Sequence, residues 1–98
     1  MNTCKRLEII IEEVLADRVI DCLAKLEVSG YTLIPSVSGR GGRGDRRNDE
    51  PAGTNTNCII IAACDTEAEA ANVIEAIRPI LTRSGGLCLL TDALSVKH

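Results

Sequence analysis

The run CIIIAACDTEAEAANVIEAI, residues 58–77, decides the fold because its hydrophobic period changes partway along. Residues 58–64 are apolar at every position, the pattern of a strand covered on both faces. Asp65-Thr66-Glu67-Ala68-Glu69 then forms a capping box, Thr66 answered by Glu69, which predicts a helix N-terminus. Beyond it Ala70, Val73/Ile74, Ile77 and Leu81 recur three or four residues apart, so the helix buries one stripe. Pro79 removes one backbone hydrogen bond and predicts a kink in the last turn. Ser84-Gly85-Gly86 breaks the chain, and residues 87–91, LCLLT, read as a short final strand.

The N-terminal half repeats this order. In residues 6–12, RLEIIIE, Leu7, Ile9 and Ile11 alternate with Arg6, Glu8 and Glu12, and Ile10 is an apolar intruder on the polar side. Residues 13–28 switch to helical spacing through Leu15, Val19, Cys22/Leu23 and Leu26, with Glu12 and Glu13 near the positive end of the helix dipole. Ser29-Gly30 is the expected stop. Residues 31–37, YTLIPSV, are a second strand, and Pro35 predicts a sheet edge or a bulge there.

The order β-α-β, long loop, β-α-β predicts an α+β, ferredoxin-like βαββαβ sandwich: a four-stranded antiparallel sheet with two helices on one face. It forms one domain over residues 1–98. The helices leave the other face open, with Ile10, half of the CIIIAAC side chains and part of LCLL projecting from it. Self-association through that face is the simplest cover. With no Phe, no Trp and Tyr31 alone among aromatics, the core is built from Ile, Leu, Val and Ala, and so small a domain gains stability by associating.

Between strands two and three lies SGRGGRGDRR, residues 38–47, with four glycines and four arginines in a chain whose net charge is −3. The whole loop, residues 39–56, is too long for a simple hairpin turn, which makes it functional, disordered when empty, or both. Glycines at 39, 41, 42 and 44 can turn successive backbone N–H groups toward one point, an anion nest. Arg40, Arg43, Arg46 and Arg47 add planar donor forks for phosphate or carboxylate. The same composition also suits a solvated linker. Gly85-Gly86, with Arg83 nearby, offers a second close approach to phosphate or a plain turn. Gly39 to Gly44 fits G-x-G-x-x-G only in its letters, since DRRNDEP follows instead of a helix.

Composition narrows the classes. Five cysteines, an odd number without a C-x-x-C pair, read as reduced, mostly buried thiols, with neither a disulfide framework nor a metal site. No stretch approaches the roughly 18 apolar residues of a membrane span, and no secretory pattern opens the chain, so a cytoplasmic protein is expected. Net acidity and a single aromatic argue against a nucleic-acid partner, which needs broad positive surface or stacking platforms. Catalysis is not expected and no catalytic residue is assigned: His98 is the only histidine, and Asp45, Asp49 and Glu50 read as solvated.

The strand and helix order, GYT entering strand two, the Gly-rich opening of the long loop and the glycine turn before the last strand together resemble the PII signal-transduction superfamily over essentially the whole chain. GYTLIPSVSGRGGRG and its arginine-rich continuation look most like the short PII-like proteins associated with carboxysome and bicarbonate-transport operons. The resemblance implies a homotrimer packed through its sheets, with an adenine nucleotide in each intersubunit cleft and the long loop as the T-loop. It implies Thr32 near the adenosine, Ala62 and Ala63 at the adenine, and Gly39 and Gly41 at the T-loop base if Pro35 marks a one-residue bulge. Gly85, Gly86 and Leu87 then fall on the phosphate side, and Arg43, Arg46 and Arg47 close over the phosphates or a small anion.

Departures from the nitrogen-sensing members are equally specific. Leu87 or Cys88 stands where those proteins place a Lys at the phosphate loop, TNTNC lacks the Lys that serves 2-oxoglutarate, and the uridylylated loop tyrosine is missing. With fewer fixed cations, ADP or AMP is favoured over ATP, and bicarbonate is the implied anion. The implied role is regulatory, switching the T-loop toward a partner such as a transporter or carboxysome-related protein of inorganic-carbon metabolism. The alternatives are a nitrogen-regulatory PII variant and a ferredoxin-like trimer of the copper-tolerance kind that binds metal through cysteines.

Overall fold

The structure is a computed structural model that describes residues 1–28, 30–41, 44–46 and 56–96, with backbone only for residues 39–41 and 44–46. Strand β1 (Asn2–Glu12) leads through a 3-10 turn (Glu13–Leu15) into helix α1 (Ala16–Lys25), and β2 (Tyr31–Val37) follows. Strands β3 (Gly39–Gly41) and β4 (Gly44–Arg46) come next, then β5 (Asn57–Cys64), α2 (Glu67–Ser84) and β6 (Leu87–Ser95). The main sheet has the order β2-β5-β1-β6, and each neighbouring pair in it is antiparallel. This is the ferredoxin-like sandwich expected from the sequence.

Alternation along the strands assigns the two faces. Leu7, Ile9 and Ile11 of β1 stand opposite Ala62, Ile60 and Cys58 of β5, and all six are at most 1% exposed. They meet Val19 and Leu23 of α1 and Ala70, Val73 and Ile77 of α2 in one aliphatic core. With no Phe or Trp in the chain, the core is filled by aliphatic side chains, alanine and cysteine alone.

Several boundaries differ from the sequence reading. β1 begins at Asn2 rather than Arg6 and β6 runs on to Ser95, because the two strands pair with each other down to Asn2 opposite Ser95. Helix α1 is shorter than residues 13–28: its first turn is 3-10, and it ends well before Ser29-Gly30. Glu27, at φ 59°, takes the left-handed position instead, while Val28 N–H reaches Leu23 O at 3.0 Å and Glu27 N–H reaches Ala24 O at 3.1 Å. That pair of bonds is a Schellman ending, normally given to glycine. Pro79 lies inside α2, which continues to Ser84. The segment read as an irregular loop contains a ladder, β3 with β4, pairing Gly39 with Arg46 and Gly41 with Gly44.

Pro35 behaves as expected. β2 is an edge strand, its register shifts between Ile34 and Val37, and Ser36 sits at φ 57°.

Candidate functional site

The topology gathers the loop-bearing ends. β1 and β2 finish where β5 and β6 begin, so the exit to β3, the return at Thr56 and the Gly85-Gly86 turn all lie at one end of the sheet. On the face away from the helices the nearest row to that end that spans all four strands is Leu87, Ile10, Ile59 and Ile34, and the next is Leu89, Glu8, Ile61 and Thr32. Ile34, Leu87 and Leu89 are each at least 40% exposed. Glu8 binds Arg6 at 2.7 Å, a charged pair in the middle of this largely aliphatic face.

At the loop end, Gly85 is the left-handed cap of α2 at φ 72°. Its N–H donates to Leu81 O at 2.9 Å, and the Gly86 N–H reaches the same carbonyl at 3.2 Å and Ser84 Oγ at 3.2 Å. Both N–H groups are therefore engaged by the helix end, and the fold alone accounts for both glycines. Leu87, on the open face, is the residue of this turn that faces away from the helices.

Thr32 and Ala63 come together elsewhere. They line a cleft of ≈380 Å³ near the opposite end of the open face, with Cys4, Tyr31, Ile61 and Asp65 among its walls. Ala62 stands opposite Tyr31 with its methyl group in the core, 1% exposed, so only its backbone can serve a ligand. β2 and β6 are the two edges of the sheet, which sets Thr32 and Leu87 three strand spacings apart, about 14 Å. One chain thus carries the implied adenosine and phosphate residues as two separate groups.

Among the four loop arginines, Arg40 lies on β3 opposite Asp45, and Arg46 lies on β4 opposite Gly39. Arg43 and Arg47 fall outside the described residues. Arg83, which the sequence places beside the glycine turn, lines a different cleft of ≈350 Å³ with Arg18, Glu12 and Ile80 on the helical side.

Burial raises the thiols of Cys58, Cys64 and Cys88; the charges of Glu13 at Cys58 and of Glu69 and Asp65 at Cys64 push in the same direction. A raised thiol is a poor nucleophile and a reluctant metal ligand. Among the described residues there is no group of three or more Cys, His, Asp or Glu placed to hold a metal, and no helix is long and apolar enough to cross a membrane.

Sequence reasoning missed Glu13, whose carboxylate accepts the Ser36 N–H at 2.9 Å and whose N–H donates to Thr56 O at 2.8 Å. A glutamate in a first helical turn reads as a dipole partner, and only the bulge at Ser36 gives it a second partner. Cys4 of β1 and Asp65, just past β5, were likewise not foreseen beside Thr32, since separate segments of the chain deliver them.

Comparison with known proteins follows the same lines. A family model described as nitrogen regulatory protein P-II matches residues 4–97. CPII of Thiomonas intermedia K12, a nitrogen regulatory PII-like protein solved bound to ADP, AMP and bicarbonate, is 27% identical; the match covers 93% of this chain and 86% of that one at a TM-score of 0.84. The same protein bound to ADP, AMP and acetate matches at 26% identity and a TM-score of 0.82, over 98% of this chain and 91% of that one. A DUF3240 family protein of Shewanella baltica OS155, 20% identical, shares the fold at a TM-score of 0.68, over 100% of this chain and 96% of that one. A search of curated protein sequences finds no match.

Proposed function

Because the chain belongs to the nitrogen regulatory protein P-II family, we propose that it is a PII-like signalling protein whose homotrimer binds ADP or AMP in intersubunit clefts. The observation that carries this reading is the division of the implied site. Thr32 and Ala63 share a cleft at one end of the open sheet face, while the loop base leaves the other end of β2 along the same edge, and Leu87 lies across the width of the sheet on β6. Packing copies through that face covers its aliphatic rows and lets one chain's adenosine group meet another's phosphate group.

The anion side is the T-loop, with Gly39 and Gly41 at its base and Arg40, Arg43, Arg46 and Arg47 along it. Guanidinium forks suit a planar oxyanion, and CPII, a similar protein, was solved with bicarbonate and with acetate. We therefore assign bicarbonate as the co-ligand that joins the nucleotide and orders the loop toward a partner in inorganic-carbon metabolism, such as a transporter. Signalling by loop order needs no catalytic group.

A thermal-shift screen tests the ligand class, because a ligand that binds only the native state raises apparent stability. ADP and AMP should raise the melting temperature more than ATP, and bicarbonate should add to the shift where 2-oxoglutarate does not. Equal, negligible shifts with all three nucleotides would refute the proposal.

A further inference from the structure

Glu13 binds both stems of the long loop. Its carboxylate takes the Ser36 N–H at the bulge where the chain leaves β2, and its own N–H holds Thr56 O just before β5 begins. The same residue opens the 3-10 turn that leads into α1. One glutamate therefore joins the departing stem, the returning stem and the helical layer.

The bulge needs such a partner. Ser36 occupies φ 57°, a region that L-residues with a Cβ enter at a cost and keep only where their surroundings hold them. A carboxylate receiving a backbone N–H is a charge-assisted bond, roughly twice as strong as a neutral one. Without it the bulge can relax toward regular pairing, and a one-residue change of register moves every following side chain to the other face of the strand. Val37, Ser38 and the base of β3 follow directly, so the direction in which the loop leaves the sheet depends on this bond.

We infer that Glu13 is a positioning residue for the nucleotide and anion site: it fixes the bulge and thereby aims the T-loop base, without itself touching the ligand. The inference rests on the nucleotide reading above.

Its test compares wild type, Glu13→Ala and the isosteric Glu13→Gln by amide exchange without ligand and by calorimetric titration with ADP. In Glu13→Ala, exchange at Ser36 and Val37 should rise about tenfold, the loss of one hydrogen bond to a charged group, while amides of β1 and β5 stay unchanged. ADP affinity should fall by a similar factor. Glu13→Gln, which keeps a neutral acceptor, should give intermediate values in both measurements and carries the comparison on its own. Wild-type exchange or wild-type ADP affinity in Glu13→Ala, or a Gln variant indistinguishable from Ala, would overturn the positioning role. A wild-type protein that binds no ADP is a different result, and refutes the nucleotide reading itself.

Discussion

A methyl group on Gly86 would lie 2.7 Å from Ile11 Cγ2 and 2.9 Å from Ile10 O. The carbonyl belongs to a central strand and cannot yield, so Gly86→Ala should cost about 1–3 kcal/mol, as overpacking does; the midpoint of urea unfolding should fall with little change in slope. The raised thiols of Cys58, Cys64 and Cys88 tie stability to pH. Above the ordinary thiol range, near about pH 8.5, the unfolded chain releases protons that the folded chain still holds, so stability declines as pH rises and is intact below that range. Unfolding midpoints measured on either side of this range, with ultraviolet absorbance reporting thiolate, should show the decline. A midpoint independent of pH would contradict the burial of these groups.

Helix ends separate what was legible in sequence from what was not. Thr66 Oγ1 accepts the Glu69 N–H at 3.1 Å, as the capping box announces, and Thr66→Ala should cost about 1 kcal/mol. The end of α1 is different. Gly30 was the natural stop, yet Glu27 makes the left-handed turn at φ 59°, because Val28 must return to pack against the core beneath Leu23. Tertiary packing chose the residue, and local propensity did not reveal it. Glu27→Gly should therefore stabilise the protein by about 0.5–1 kcal/mol, the relief of a left-handed L-residue less the entropy that glycine adds to the unfolded chain; an unchanged or lower urea midpoint would refute this. The β3–β4 ladder was missed for another reason. Glycine-rich, cationic sequence resembles a linker.

For the molecule as a whole, period and order in the sequence were enough to place the core. Leu7, Ile9, Ile11, Val19, Val73 and Ile77 are all buried as the alternation and the helical stripes require. The uncovered face was also legible, since CIIIAAC is apolar on both sides while only one side meets helices: Cys58 and Ile60 are fully buried, and Ile59 and Ile61 remain partly exposed. The division of the site was not legible, because it depends on which strands become edges and on which end of each strand bears a given residue. Ile59→Glu places a charge in the aliphatic row at the loop end of the open face and should yield a folded monomer by light scattering, with native far-ultraviolet dichroism and no nucleotide binding; a trimer of wild-type mass would contradict assembly through this face.

If nucleotide and anion occupy one coupled site, each must tighten the binding of the other. Titrating ADP into the protein by calorimetry, with and without bicarbonate, measures that coupling directly. ADP should bind at least about fivefold tighter with bicarbonate, within the usual range of coupling between sites, and that gain should be lost when Arg40 and Arg46 are replaced by Ala. ADP affinity unchanged by bicarbonate would contradict it.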